Sequence, residues 1–304
     1  MTAALIISAG RTERKDRFSP ERQIGKISAI ERITLLFKVA GIQRIVVVAD
    51  EQELPQKFVS SMNIVFLTVS ANGEMLDSIK QGLRYLHNKC SEVIVSYVDV
   101  PMFSLETIQT LMDADEDVCI PSYKGHCGHP ILLRENCFED IISYSGADGL
   151  KGAIEASAIR RKIVEVDDEG ILTEAQASTS YENLAADHEI SKMRASVRIK
   201  ISKEKEFYGP GAHHLLQLIE ELGSLSNACQ HMGMSYTKGR KVISTMEEQM
   251  GTPMLETQQG GKTGGGSRLT EEAKKLMACY SAFQQEADTL LQEIFKKHFS
   301  EIIE

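Results

Sequence analysis

The chain has 304 residues, of which 42% are hydrophobic and 25% charged, and this length and balance predict about two globular domains with apolar cores. A formal net charge of −9 argues against a protein that binds nucleic acid over its whole surface, although it allows one local basic face. The six cysteines form no C-x-x-C pair, and the apolar start is too short for a signal peptide or a membrane span. We therefore expect a cytoplasmic protein with reduced thiols and no membrane partner.

Residues 1–190 alternate short apolar runs with amphipathic stretches. The runs are rich in β-branched residues, as strands buried on both faces are, and they cover residues 4–7, 45–48, 64–67 and 93–95. The amphipathic stretch Ala29–Ala40 predicts a helix that Gly41 ends. This alternation predicts an α/β domain with a parallel, doubly wound, Rossmann-like sheet.

Ligands of such sheets collect beyond the carboxyl ends of the strands. A small and basic segment follows the first strand, and it consists of Ser8, Ala9, Gly10, Arg11 and Arg14. Its backbone amides and cations suit the phosphates of a nucleotide. After the fourth strand, Asp99 precedes Pro101 and is either a ligand for a divalent metal or a turn aspartate.

The pattern changes in residues 195–304. Val197, Ile199 and Ile201 alternate like one short strand, and helices follow. The predicted helices are His213–Leu222, Leu225–Met232 with Ser224 as its N-cap and Gly233 as its stop, and a third that Ser235 caps and that runs to about Met250. Their lengths and the short turn between the last two predict a helix-turn-helix.

The glycine-rich segment 256–270 has two possible meanings. A P-loop requires glycine at position 256, where the chain has Glu256, and no apolar strand precedes the segment. We therefore interpret it as the wing of a winged helix, whose glycines allow close approach to a DNA backbone. The residues predicted to contact DNA are Ser235, Tyr236, Thr237, Lys238, Arg240, Lys241, Lys262 and Arg268.

A long final helix is predicted, with Thr270 as its N-cap. Its apolar residues recur at alternating steps of four and three, as in a heptad seam: Leu276, Tyr280, Phe283, Ala287, Leu290 and Ile294. Such a helix either packs inside its own chain or pairs with a second copy. We expect a homodimer through this helix, which would match two DNA half-sites.

Short sequence pieces in this second region occur together in a fixed order. They are Gly223-Ser224-Leu225 with Ala228, Met234-Ser235-Tyr236, the Gly260–Gly266 segment and Leu269-Thr270. With them, residues 195–304 resemble the DNA-binding domain of the molybdate-responsive transcription regulator family. The resemblance implies a dimeric winged helix that binds double-stranded DNA.

The first region carries its own set of pieces. They are Ser8-Ala9-Gly10 with Arg14, Gly25-Lys26 before Glu31-Arg32, Met75-Leu76-Asp77-Ser78 with Gly82-Leu83, Val98-Asp99-Val100-Pro101, Gly128-His129-Pro130 and Asp148-Gly149. This region resembles the molybdenum cofactor cytidylyltransferase and guanylyltransferase family. The resemblance implies a domain that binds CTP or GTP with Mg²⁺ and acts on molybdopterin.

The same resemblance implies roles for single residues. Arg14 and Asp99 would be catalytic, Asp99 would hold the metal, Ser78 would bind the nucleotide, and Gly128, His129 and Pro130 would form a loop that faces the substrate. His126, Cys127 and His129 are adjacent rather than spaced like zinc ligands, which favours this loop over a metal site.

Two departures from the family pattern bear on catalysis. The family has Arg-Met-Gly and then a lysine in its first loop, whereas here Lys15 and Asp16 follow Arg14; a carboxylate there repels a triphosphate. The family's Asp-x-Asp-Thr-Pro is replaced by Ala177-Ser178-Thr179-Ser180-Tyr181. Three hypotheses remain: a regulator of molybdenum metabolism with eroded catalysis, an active nucleotidyltransferase with an added DNA-binding domain, or a scaffold for a molybdenum-enzyme maturation partner.

Overall fold

The computed structural model describes residues 1–8, 21, 23–50, 64–69, 74–174, 195–257 and 266–303. Within these ranges the chain forms two compact units, the first built from the described residues up to 174 and the second from residues 195–303. No helix in the described ranges is both long and apolar enough to cross a membrane.

The first unit combines ten strands with five helices among its described residues. The strands are β1 (Thr2–Ile7), β2 (Gln23–Ile24), β3 (Ile27–Ser28), β4 (Arg44–Asp50), β5 (Ile64–Val69), β6 (Glu92–Tyr97), β7 (Val118–Tyr123), β8 (His126–Cys127), β9 (Ile131–Arg134) and β10 (Arg161–Glu165). The helices are α1 (Ala29–Val39), α2 (Met75–Leu86), α3 (Leu105–Asp113), α4 (Phe138–Ser143) and α5 (Gly149–Ala156). Two 3₁₀ turns cover Glu135–Cys137 and Glu169–Leu172.

The main sheet has the strand order β10-β7-β9-β6-β1-β4-β5, and β8 pairs with β7. The four predicted strands are confirmed as β1, β4, β5 and β6, which are parallel neighbours. Leu5 and Ile6 point to opposite faces of β1 and are both fully buried, so both faces of the sheet centre are covered.

The predicted α/β sheet is confirmed as mostly parallel, with the difference that β9 runs antiparallel between β6 and β7. The connection from β7 through β8 to β9 is a tight reversal with Lys124 and Gly125 at positive φ. So short a connection cannot carry the crossover that a parallel neighbour requires. The architecture is therefore α/β with a mixed, mostly parallel sheet.

Helix α1 shows why the predicted boundaries hold. Ser28 accepts a hydrogen bond from the amide of Glu31, and the Glu31 carboxylate accepts one from the amide of Ser28 at 2.6 Å, which forms a capping box. At the other end Gly41 has φ +84°, and its amide donates to the carbonyl of Lys38 at 3.0 Å. A glycine ends the helix there because the left-handed conformation suits it.

The second unit is mostly helical. Its elements are β11 (Ile201–Ser202), β12 (Glu206–Tyr208), α6 (Pro210–Leu222), α7 (Leu225–His231), α8 (Tyr236–Met250), β13 (Leu255–Thr257), β14 (Ser267–Leu269) and α9 (Glu271–Ile303). Strands β13 and β14 pair antiparallel and follow the three helices α6–α8. The predicted strand over residues 197–201 is wrong apart from Ile201, because β11 pairs only with the short β12.

Three predicted helix caps are confirmed in this unit. The hydroxyl of Ser224 accepts from the amide of Asn227, that of Ser235 from Lys238, and that of Thr270 from Ala273 at 3.2 Å. Each satisfies an amide that the first turn of a helix leaves without an intrahelical partner.

Helices α7 and α8 approach closely at one glycine. A Cβ at Gly239 would lie 2.2 Å from Sγ of Cys229, and both residues are buried. The helix-turn-helix pair thus requires a residue without a side chain at this crossing.

Candidate functional site

The carboxyl ends of β1 and β6 form the base of the predicted nucleotide site. Ser8 follows β1 and its amide donates to the carbonyl of Val48 at 2.8 Å. Beyond β6, the amide of Val98 donates to Ile7 at 3.0 Å and that of Val100 to Tyr97 at 3.1 Å, so the chain turns sharply around Asp99. Asp99 is 5% exposed. Ser8 and Asp99 therefore follow neighbouring parallel strands at one edge of the sheet, where α/β proteins bind ligands.

The hydroxyl oxygen of Ser8 is buried and has no hydrogen-bond partner among the described residues. Buried hydroxyls are normally satisfied by protein, water or ligand, so this atom is available to a ligand group at the edge of the sheet. The other predicted residues of this loop, Ala9, Gly10, Arg11 and Arg14, lie outside the described residues, as does Lys262 of the predicted wing.

Ser78 lies in the first turn of α2, where it is 1% exposed. The carboxylate of Asp77 accepts from the amide of Glu74 at 3.3 Å and so closes the start of this helix. Further along, a Cβ at Gly82 would lie 2.3 Å from the side chain of Leu5. This close contact holds α2 directly on β1.

The Gly128–Pro130 loop lies beside the Asp99 turn. The amide of Gly128 donates to the carbonyl of Pro121 at 2.9 Å, and the peptide bond from His129 to Pro130 is cis. The ring of His129 meets the ring of Tyr97 edge-on, with centroids 4.2 Å apart. Since Tyr97 ends β6 two residues before Asp99, the structure brings the predicted substrate loop and the predicted metal residue together.

His126 and Cys127 are exposed on β8. Among the described residues no group of three or more metal-binding side chains is close enough to hold a metal ion.

A cavity of about 550 Å³ opens next to this loop. Its lining is mostly apolar and includes Leu76, Ile120 and Ile154. Two carboxylates, Asp148 and Glu155, and two cations, Lys151 and Arg161, also line it, and Arg161 pairs with Glu155 at 3.9 Å. Sequence reasoning missed these two cations, because only folding brings α5 and β10 to the Gly128–Pro130 loop. No local pattern in the sequence marks them.

In the second unit the predicted DNA-contacting residues of α8 occupy the surface. The side chains of Ser235, Tyr236, Thr237, Lys238, Arg240 and Lys241 are all exposed, Tyr236 by 56%. No ion pair within the described ranges contains Lys238, Arg240 or Lys241. The hydroxyl of Ser235 is engaged as the cap of α8, which leaves its second lone pair for a ligand.

Arg268 lies in a different environment. It is exposed on β14, pairs in register with Glu256 of β13, and lines a groove of about 410 Å³ that also contains Glu220 and Glu271. Its charge is therefore partly opposed by carboxylates, unlike the charges of Lys238 and Arg240.

The predicted seam of the last helix divides into two parts. Tyr280 is 1% exposed: its hydroxyl donates to the carbonyl of Ile199 at 3.0 Å, and its ring lies against Tyr208 and His213. Tyr280 thus packs inside its own chain, which corrects its place in the predicted intermolecular seam. Phe283, Leu290 and Ile294 are 54–55% exposed.

A mostly parallel α/β sheet with ligand-side loops around Ser8, Asp99 and Gly128 defines a nucleotidyltransferase-like domain. The chain belongs to the MobA-like NTP transferase domain family, which matches residues 4–163. Among solved structures, a nucleotidyl transferase from Methanothermobacter thermautotroptrophicus superposes with a TM-score of 0.50 at 15% identity, over 62% of this chain and 97% of that one. At this identity the likeness concerns the fold alone.

Other relatives match shorter parts of the chain. The chain is 34% identical over 82 residues to the molybdenum-pterin-binding protein MopB of Rhodobacter capsulatus, a match of 27% of this chain and 30% of that protein. It is 32% identical over 90 residues to the transcriptional regulator ModE of Haemophilus influenzae, covering 29% and 35%. The chain thus spans about a third of the length of these relatives.

Proposed function

We propose that this protein is a DNA-binding transcriptional regulator of molybdenum metabolism whose first unit binds a nucleotide or a molybdopterin-type ligand. The observation that carries the proposal is the exposed basic end of α8, presented by a helix-turn-helix in a chain of the MobA-like family. The relative from Haemophilus influenzae is named a transcriptional regulator, which supports this assignment.

The DNA face comprises the first turns of α8 and the hairpin β13–β14. The N-terminal turns of a recognition helix present side chains to base edges and phosphates, and Lys238, Arg240 and Lys241 carry the charge for phosphate contacts. A hairpin directly after the third helix has the position of a wing. We infer a winged helix, with Tyr236 and Thr237 as candidates for base contacts.

We further propose that the protein is a homodimer through α9. Phe283, Leu290 and Ile294 are separated by seven and four residues, so they lie on one face of the helix, and that face is exposed in the single chain. Burying a side chain of this size stabilises an interface by about 1.5–3 kcal/mol. Sedimentation of wild type and of the Leu290→Asp variant tests this step: we expect a dimer that the variant dissociates, and a monomeric wild type would refute it.

In the first unit, the ligand would lie over Ser8 and Asp99. The buried Ser8 hydroxyl and the buried carboxylate at the end of β6 suit a nucleotide phosphate with its Mg²⁺. Asp99 would supply one protein ligand, and phosphate oxygens and waters the others, as is usual for Mg²⁺. CTP and GTP are the ligands that we propose.

The alternative function is an active CTP or GTP:molybdopterin nucleotidyltransferase with an added DNA-binding unit. The contact between Tyr97 and His129 supports it, because the Gly128–Pro130 loop lies beside the end of β6 and lines a mostly apolar cavity, as a loop that faces a substrate would. When bound, Mg²⁺ would neutralise the charge that develops on the transferred phosphate. The chain's own part would be to hold the nucleotide at Ser8 and to exclude water with the Gly128–Pro130 loop.

Two measurements separate these functions. Binding of duplex DNA from molybdenum-enzyme promoters is measured by fluorescence anisotropy at increasing salt, with and without CTP or GTP; we expect affinity that falls steeply with salt and changes with nucleotide. No affinity for DNA at low salt under any condition would overturn the proposed function as a regulator.

The second measurement tests the transferase function. Release of pyrophosphate on incubation with Mg²⁺, nucleotide and molybdopterin would establish this activity, with Asp99→Asn as the inactive control.

A further inference from the structure

The turn formed by residues 168–172, here named the Asp168 turn, contacts both loops of the proposed ligand site. It follows β10 and contains the 3₁₀ turn Glu169–Leu172, which Asp168 precedes. Neither predicted catalytic residue nor predicted ligand loop belongs to it. Its contacts fall into two sets. One set is made with the end of residues 99–104, here named the Asp99 segment, and the other with the Gly128–Pro130 loop.

The first set is made by the carboxylate of Asp168. Its Oδ2 accepts a hydrogen bond from the amide of Ser104 at 2.7 Å and from the hydroxyl of Thr107 at 2.5 Å. Its Oδ1 accepts from the amide of Gly170 at 2.9 Å. Ser104 ends the segment that begins at Asp99, so one carboxylate ties the turn to the end of that segment and to α3 through two donors, while the third donor, Gly170, lies in the turn itself.

Gly170 adds a backbone contact to the same segment. A Cβ at this position would lie 2.0 Å from the carbonyl oxygen of Met102, and Met102 is 4% exposed. The turn therefore lies directly on the backbone between Asp99 and α3, at a distance that only glycine permits.

The second set involves Ile171, which is 1% exposed. Its carbonyl accepts from the amide of His129 at 3.0 Å, and a Cβ at Gly128 would lie 2.3 Å from the same oxygen. The ring of His129 also contacts Tyr97, which lies two residues before Asp99. The Asp99 segment, the Asp168 turn and the Gly128–Pro130 loop are therefore each connected to the other two.

A role as a simple helix cap does not account for these bonds. Helix α3 already has its own N-cap, since the hydroxyl of Ser104 accepts from the amide of Thr107 at 3.1 Å. The carboxylate of Asp168 instead binds the backbone amide of Ser104 and the side chain of Thr107. These bonds connect one segment to another across more than sixty residues of sequence.

We propose that Asp168 is a positioning residue of the ligand site. It fixes the position of the Asp99 carboxylate relative to the Gly128–Pro130 loop, so that a nucleotide-bound Mg²⁺ contacts this carboxylate. The inference rests on the nucleotide binding proposed above. Hydrogen bonds that a carboxylate accepts are charge-assisted and about twice as strong as neutral ones, which suits this task. Loss of the carboxylate would release the Asp99 segment while leaving both strands in place.

The test compares Asp168→Ala with Asp167→Ala in the full chain, because Asp167 is the exposed neighbour of equal charge. Affinity for CTP and GTP is measured by calorimetry with Mg²⁺ and again with EDTA. We expect Asp168→Ala to lower the affinity in Mg²⁺ at least about tenfold and the affinity in EDTA less than about twofold, since it acts through the metal ligand. The Asp167→Ala variant should match the wild type in both conditions.

Hydrogen exchange in the same proteins reports the two segments without any ligand. Residues 98–107 and 126–131 should exchange faster in Asp168→Ala and unchanged in Asp167→Ala. If Asp168→Ala does not fold, Thr107→Val at nearly constant volume removes one of the three bonds to Asp168, together with the bond that the Thr107 hydroxyl accepts from Ser104. It should show the same selective loss to a smaller degree.

Three results would overturn the proposal. The first is an unchanged affinity in Mg²⁺, and the second an equal loss in Mg²⁺ and EDTA, which would make Asp168 structural only. The third is a wild type that binds neither nucleotide in either condition, which removes the proposed ligand as well. In that case the exchange data alone distinguish a turn that holds both loops from one that does not.

Discussion

In the first unit, Asp99 and Ser78 are 5% and 1% exposed and are held among strands, turns and helix starts, whereas Lys238, Arg240 and Lys241 of the second unit extend into solvent from one helix. A buried group acts through position, so its site depends on the packing beneath it. An exposed cation acts through charge, so it can be changed without disturbing the fold but responds to salt. Substitutions at the buried site of the first unit should therefore act by disturbing packing, whereas charge changes on α8 should act through electrostatics that depend on salt.

The largest expected effect is on DNA affinity. Replacing both Lys238 and Arg240 by glutamate should weaken duplex binding on the order of 1,000-fold. The proposed dimer would lose four phosphate contacts and gain four carboxylates that repel the phosphates. The melting temperature should stay the same, since neither residue forms an ion pair among the described residues. The control Arg198→Glu with Lys275→Glu applies the same charge change to exposed residues away from α8. A comparable loss in the control would show that net charge alone governs binding.

The second unit also contains a buried polar cluster, and its stability should depend on pH. His213 is 4% exposed, and burial lowers its pKa from 6.5 to about 4. The unfolded chain takes up the proton more readily, so stability is complete above about pH 6.5 and falls as the pH drops towards 4, by at most about 3 kcal/mol.

Hydrogen exchange in α6 at several pH values, corrected for the intrinsic rate, measures this loss. The variant His213→Phe keeps a ring against Tyr208 and Tyr280 but cannot titrate, so its exchange should lack this component of the pH dependence. An identical slope in the variant would assign the effect to another group, such as His231, whose pKa is also lowered by burial.

A smaller effect is expected where α7 crosses α8. Gly239→Ala should destabilise the second unit by about 2 kcal/mol, because the new methyl group would overlap Sγ of Cys229. Combining it with Cys229→Ala should recover part of the loss. Gly211→Ala is the matched control, since nothing lies within 4 Å of a Cβ there. Thermal unfolding measures the loss of stability in both variants. An equal loss in Gly239→Ala and Gly211→Ala would contradict the prediction.

The smallest expected effect compares one serine cap from each unit. Ser28 has a reciprocal bond with Glu31, whereas Ser235 makes a single bond of 3.3 Å at an exposed helix start. Replacement by alanine should cost about 1–2 kcal/mol at Ser28 and about 0.5 kcal/mol at Ser235. Urea unfolding measures both. A larger loss at Ser235 would reverse the comparison between the units.

Much of the fold was predictable because its signals are local. Apolar β-branched runs gave the strands β1, β4, β5 and β6, and serine or threonine before a helical pattern gave the caps at Ser224, Ser235 and Thr270. The direction of β9 was not predicted, although the seven residues between β7 and β9 are too few for a crossover helix and were an available signal.

The parts that sequence reasoning missed depend on contacts between distant residues. Tyr280 fits a heptad pattern as well as Phe283 does, and only the cluster with Tyr208 and His213 shows that it is internal. Asp168 looks like an ordinary surface aspartate until the fold places it against Ser104 and Thr107. Lys151 and Arg161 likewise line one cavity only in the folded chain.

Tyr280 is anchored in its own unit, and α9 continues for 23 residues beyond it to Ile303, with Gln292 donating to the carbonyl of Ala195 at 3.1 Å on the way. At 1.5 Å per residue this length is about 35 Å, comparable to one turn of duplex DNA. In the proposed dimer, the face that the far part of α9 presents would determine the distance between the two α8 helices that contact DNA. Inserting one residue after Phe283 would rotate the far portion by about 100°, whereas inserting seven would nearly restore the phase.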